Sequence, residues 1–176
     1  MNTPRKTATK KTASAGAKGA AADAVKLLTA DHKEVKALFN QYKKLVDGDA
    51  AAEERQALAE QICNMLTMHA TIEEEIFYPA AREALDEDDL LDEAEVEHAS
   101  AKDLIAQIEA MDADDDLYDA KVTVLGEYID HHVKEEEEEM FPKCRKSEMD
   151  LALLGEELDA RKAELTADLT GQPVDA

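Results

Sequence analysis

Tryptophan is absent from this chain of 176 residues, and only 3 Phe and 4 Tyr supply aromatic surface. Any core must therefore be built mainly from aliphatic side chains, which a 44% hydrophobic content permits. Glycine (6) and proline (4) are also scarce, the profile of an all-helical soluble protein. The two cysteines, Cys63 and Cys144, form no CxxC pair and no disulfide framework, which points to a reducing, cytoplasmic setting. No apolar run approaches the roughly 18 residues of a membrane span. The N-terminus lacks the apolar core of a signal peptide.

Positive charge is scarce too, and it is unevenly placed. The formal net charge is −22. Residues 1–22 carry Arg5, Lys6, Lys10, Lys11 and Lys18 with no acid, a net of +5. The rest has 15 basic against 42 acidic residues, a net of −27. A body this acidic stays soluble and repels nucleic acid and anionic membranes. Only the basic tail is suited to touching a phosphate backbone, and then weakly. Its Ser/Thr/Ala-rich composition reads as a disordered segment, with an organelle transit peptide as the alternative.

What is abundant is helical periodicity. Leu28, His32, Val35, Phe39, Tyr42 and Val46 step by four and three, which keeps one face of a helix. "DGD" at Asp47–Asp49 ends it. A second stripe holds Leu58, Ile62, Met65, His69, Ile72/Glu73 and Ile76, and Pro79 is expected to kink or end that helix. After "DEDD" comes a third, with Leu91, Ala94, His98, Ala101, Ile105 and Ile108 in line. After "DADDD" a fourth aligns Leu125, Tyr128/Ile129, His132, Glu136 and Met140 before Pro142. These stripes predict an all-α, antiparallel, up-down-up-down four-helix bundle over residues 23–146. A short fifth helix over 147–170 is expected to pack on it through Leu151, Leu154, Leu158 and Leu165, with Ser147 as its N-cap and a tail after 170.

The two halves repeat. "HATIEEEIFYP" begins at His69 and "HHVKEEEEEMFP" at His131. His32 and His98 are 66 residues apart; His69 and His132, Glu73 and Glu136, and Pro79 and Pro142 are each 63 apart. Residues i and i+4 on a helix lie about 40° apart and about 6 Å along the axis. His69 with Glu73, and His132 with Glu136, can thus reach one point inside a bundle, with His32 and His98 arriving from the partner helices. His132 is preferred over His131 because Leu125, Tyr128 and Ile129 precede it at the spacings Ile62, Met65 and Leu66 take before His69.

The six residues His32, His69, Glu73, His98, His132 and Glu136 are therefore candidate metal ligands. Two carboxylates in a bundle core, with no Lys or Arg on the inner stripes, would cost several kcal/mol each unless cations neutralised them. A mixed imidazole and carboxylate set suits Fe, Mn or Zn better than Ca or Mg. Glu97 and Glu135 are candidates for the rim. Glu74, Glu75 and the rest of the Glu135–Glu139 run read as solvated faces, Tyr42 and Tyr128 as inner-stripe residues near the ligands, and both cysteines as packing residues.

His32, His69-x-x-x-Glu73, His98 and His132-x-x-x-Glu136, with each of the last pairs closing on an aromatic-Pro stop, resemble the hemerythrin-like (HHE cation-binding) family, bacterial type. The resemblance spans about residues 24–145. It implies a non-haem centre of two iron ions, oxo- or hydroxo-bridged, with Glu73 and Glu136 bridging; Zn or Mn are alternatives. It also implies dioxygen, nitric oxide or peroxide as the small-molecule ligand, with peroxide or nitric-oxide decomposition or a stress response as roles. The rival expectation is an iron-sensing or iron-holding module whose folding depends on metal. Oxygen-carrying members have a fifth histidine where this chain has Lys102, and a final Asp spaced five from its His where this chain has Glu136 spaced four.

Overall fold

The computed structural model describes residues 23–170. The predicted tails, 1–22 and 171–176, lie outside the described residues. The described chain is helical, with no strand. We label its rods α1 (Ala24–Asp47), α2 (52–84), α3 (Asp88–Glu109), α4 (118–144) and α5 (Leu151–Thr170). The first four form the antiparallel bundle, α1 pairing with α2 and α3 with α4, and α1 with α4 and α2 with α3 closing it. None of the helices is long and apolar enough to cross a membrane.

Local chemistry sets the breaks between rods. Asp23 caps α1, its carboxylate accepting from the Lys26 N–H at 2.9 Å. Gly48 and Asp49, the latter at φ 51°, turn the chain after α1, and Leu117 at φ 73° turns it into α4. Side chains that reach αL this way favour Gly, Asn and Asp. Leu117 meets the cost in an exposed loop tip.

Of the two outcomes expected at Pro79, a kink or an end, the helix does not end there, nor does the fourth end at Pro142. Each follows a widened π-turn, Glu73–Phe77 in α2 and Glu136–Met140 in α4, and the rod runs on to 84 and 144. In an unbroken α-helix the pyrrolidine ring would collide with the carbonyl four residues back. The wider turn carries the backbone past that clash: Tyr78 N–H bonds to the Glu73 carbonyl, and Phe141 N–H to that of Glu136, five residues back.

The fifth helix is present and, at 20 residues, is shorter than each of the four bundle rods, but Ser147 does not cap it. Asp150 does, accepting from Leu153 N–H at 3.1 Å, while Ser147 Oγ accepts from Met149 N–H in the preceding turn. The expected stripe holds: Leu158 is fully buried, with Leu151, Leu154 and Leu165 packed beside it. The helix lies mainly against α1 and α2.

The core is divided into two apolar clusters with a polar layer between them. One gathers Val35, Leu38, Ile62, Leu66, Ile105, Leu125 and Ile129. The other gathers Leu28, Ile72, Phe77, Leu91, Met140, Phe141 and Leu158. On each of α1–α4 the chain passes from one cluster to the other through a buried histidine. Apolar packing above and below, worth on the order of 25 cal/mol per Å² buried, thus sets the height of the layer.

Candidate metal centre

The polar layer consists of His32, His69, Glu73, His98, His132 and Glu136, all buried, and Glu73 entirely so. All six candidate ligands from the sequence are brought together. His32 Nε2 lies 3.1 Å from His69 Nε2, and His98 Nε2 lies 3.0 Å from His132 Nε2. Glu73 spans both imidazole pairs, with Oε1 3.2 Å from His69 and Oε2 3.4 Å from His98. Glu136 also spans them: its Oε2 is 3.2 Å from His32 and 3.6 Å from His132. Two groups of metal-competent donors result, His32–His69–Glu73–Glu136 and Glu73–His98–His132, with Glu73 common to both.

Behind the six stands a second ring of carboxylates, one for each imidazole. Nδ1 of His32 donates to Glu137 (3.0 Å), of His69 to Asp31 (3.4 Å), of His98 to Glu74 (2.9 Å) and of His132 to Glu97 (2.7 Å). This ring obeys the internal repeat. Glu74 and Glu137 each follow a buried glutamate; Asp31 and Glu97 each precede a buried histidine. With Nδ1–H committed outward, each neutral ring aims its Nε2 lone pair at the interior.

Those lone pairs decide what the site suits. Two imidazole lone pairs facing each other at 3.0–3.1 Å repel unless a cation lies between them. Two donors about 2.1 Å from one metal and at right angles would be about 3.0 Å apart. Both oxygens of Glu73 and Oε2 of Glu136 are buried without a hydrogen-bond partner. The nearby imidazole nitrogens are off the hydrogen-bonding directions. A buried charged acceptor left bare is strongly unfavourable, so the residues present fit a metal.

The electrostatics agree. Burial opposes the charged form of His69, yet Glu73 and Asp31 more than offset it and hold the imidazole up to about 10. Burial likewise works against charge on His132, where Glu97 and Glu136 lift it to about 8. Glu73 is held well below the ordinary carboxylate range, against the effect of burial, by His69 and His98 beside it. The layer as built attracts positive charge, as protons on imidazole or as metal.

Tyr78 was not legible as a site residue. Its hydroxyl donates to Glu136 Oε1 at 2.9 Å and lies 3.2 Å from His98 Nε2. Five residues on an α-helix would put it about 140° from Glu73; the π-turn returns it to the same face. Its counterpart in the repeat is Phe141, stacked on His32 at 5.7 Å between centroids. Comparing "FYP" with "MFP" in the repeat was the available signal.

Other expectations need correction. Tyr128 is half exposed, with Ile129 taking the inward place. Tyr42 is buried but donates to Asp119 at 2.6 Å, in the apolar cluster away from the histidines. Glu74 and Glu137 accept from the buried imidazoles of His98 and His32 and are not simply solvated faces. Glu97 does stand at the rim. Lys102, in the place of the oxygen carriers' fifth histidine, turns outward and ion-pairs with Glu74 at 2.5 Å.

A cavity of about 20 Å³ adjoins the layer, bounded by the four histidines and by Val35, Leu66, Ala101, Ile105, Ile129 and Val133. That is room for about one water-sized molecule, against mostly apolar walls.

Residues 23–144 match the hemerythrin HHE cation-binding domain. In three dimensions the chain is similar to the crystal structure of a hemerythrin HHE cation-binding domain-containing protein from Mycobacterium kansasii. The TM-score is 0.70 and the identity 25%, covering 85% of this chain and 90% of that one. It is also 30% identical over 148 residues to a DNA nickase from Nostoc sp., covering 83% of this chain but only 41% of that protein.

Proposed function

Since the chain belongs to the hemerythrin HHE cation-binding domain family, we propose that its buried layer holds two iron ions and binds or reacts with dioxygen, nitric oxide or peroxide. The observation that carries this reading is the set of bare carboxylate oxygens, two on Glu73 and one on Glu136, at the meeting point of four imidazoles. His32, His69 and Glu136 would hold one ion and His98 and His132 the other, with Glu73 between them. Iron, when bound, supplies the redox chemistry that the side chains lack.

The protein's own residues do the rest. Asp31, Glu74, Glu97 and Glu137 orient the four imidazoles and raise their basicity through Nδ1. Tyr78 steadies Glu136 by donating to its Oε1. The apolar walls admit a small neutral molecule and exclude bulk water.

The same bare oxygens favour a second reading, an iron-holding or iron-sensing module, because they make the metal-free fold costly and couple folding to metal. DNA nicking, the printed activity of the Nostoc protein, is not carried over. The six donors are buried beyond the reach of a phosphodiester, and the chain's net charge of −22 repels one.

Metal content and the absorption spectrum, taken anaerobically and then in air, test the proposal. Two irons per chain with an oxygen-dependent spectral change are expected. Iron-dependent gain of helicity without any response to oxygen, peroxide or nitric oxide would favour the second reading. Protein that stays free of metal after iron-replete expression overturns both.

A further inference from the structure

Outside the buried layer, the described residues contain one more group of mixed metal-competent donors. Glu97, His131 and Glu135 each present a donor atom, all within 4.8 Å of one another. His131 Nε2 lies 3.2 Å from Glu135 Oε1 and 3.4 Å from Glu97 Oε1. His131 is 63% exposed, so the group opens to solvent where α3 meets α4. We propose that Glu97, His131 and Glu135 form a separate, solvent-facing site for a divalent transition-metal cation, and that it shares Glu97 with the buried centre.

The pseudo-twofold shows why a cation belongs there. In the first half, Asp31 occupies the place of Glu97 and splits its oxygens between two partners. Oδ2 faces His69 Nδ1, and Oδ1 binds Lys162 of α5 at 2.5 Å. Glu97 splits its own in the same way, Oε2 accepting from His132 Nδ1 while Oε1 faces His131. Yet α5 packs mainly on α1 and α2, and among the described residues no lysine or arginine pairs with Glu97. The first-half counterparts of His131 and Glu135 are Met68 and Ile72, which offer no comparable donors. The extra donors thus occur in the half that lacks the lysine.

The donor set also has the right composition. His131 and Glu135, four apart on α4, repeat the spacing of His132 and Glu136 one residue earlier, and Glu97 completes the set from α3. One imidazole with two carboxylates suits Mn²⁺, Fe²⁺ or Zn²⁺ better than Mg²⁺. Three protein donors at the surface leave further places to water, so the ion exchanges readily. The acidic body raises the local concentration of cations. The competing account is a protonated His131 bridging the two carboxylates with no metal.

Manganese titration of the protein with its buried centre already loaded separates these accounts, with free Mn²⁺ followed by electron paramagnetic resonance. Excess Mg²⁺ masks diffuse binding to the acidic surface. Wild type is expected to take up one further Mn²⁺ per chain. His131→Gln and Glu135→Gln should each weaken that uptake by at least about tenfold, leaving the buried metal content and the helicity unchanged. No uptake beyond the buried ions, or uptake that both variants leave intact, overturns the proposal. Because the readout is the added ion alone, the result stands whichever metal fills the buried centre.

Discussion

Glu73→Gln should weaken the stabilisation that metal gives the protein. The carboxylate is fully buried and neither oxygen has a hydrogen-bond partner. Gln keeps the shape and removes the charge, and its amide can donate to an imidazole lone pair.

A metal present at about a thousand times its dissociation constant adds about 4.1 kcal/mol to wild-type stability, or about 8–16 °C. If losing the bridging charge weakens binding about 100-fold, the increment falls to about 1.4 kcal/mol. Thermal unfolding of chelated and reloaded protein, for wild type and variant, measures both quantities. An undiminished metal increment in the variant would refute the reasoning, because Glu73 would then be a structural residue and not a metal ligand.

Tyr78→Phe should leave two metals per chain but cost about 1–3 kcal/mol in denaturant unfolding, since Glu136 Oε1 loses the 2.9 Å donor that satisfies it inside the core. Loss of metal without loss of stability would contradict that role. Burial pushes the Cys63 thiol up to about 12 and the Cys144 thiol up to about 11. At pH 8 both should therefore resist thiol reagents in the folded protein and react promptly in denaturant, the native thiolate fraction of Cys63 being roughly a thousandfold below that of a free cysteine.

Much of the architecture was legible because it depends on periodicity. Stripes such as Leu91–Ala94–His98–Ala101–Ile105 place a residue inward by its angle on the helix, and that angle follows from position alone. The same rule, with the 63-residue and 66-residue spacings, brought the six candidate ligands to one layer. Where two adjacent residues competed, the rule was weaker. It separated His132 from the 63% exposed His131, but left Tyr128 and Ile129 undivided.

Residue order along the chain determined which faces turn inward, how many rods there are and that two acids share the interior with four histidines, because each rests on local geometry repeated along a helix. Only the packed structure decided the rest. The contact of Tyr78 with Glu136 and the carboxylate behind each imidazole depend on contacts between different rods. Asp31 finds Lys162 across 131 residues of chain, while Glu97, its counterpart, finds His131 instead. Those pairings are set by which helices lie side by side, and no periodicity within one helix encodes them.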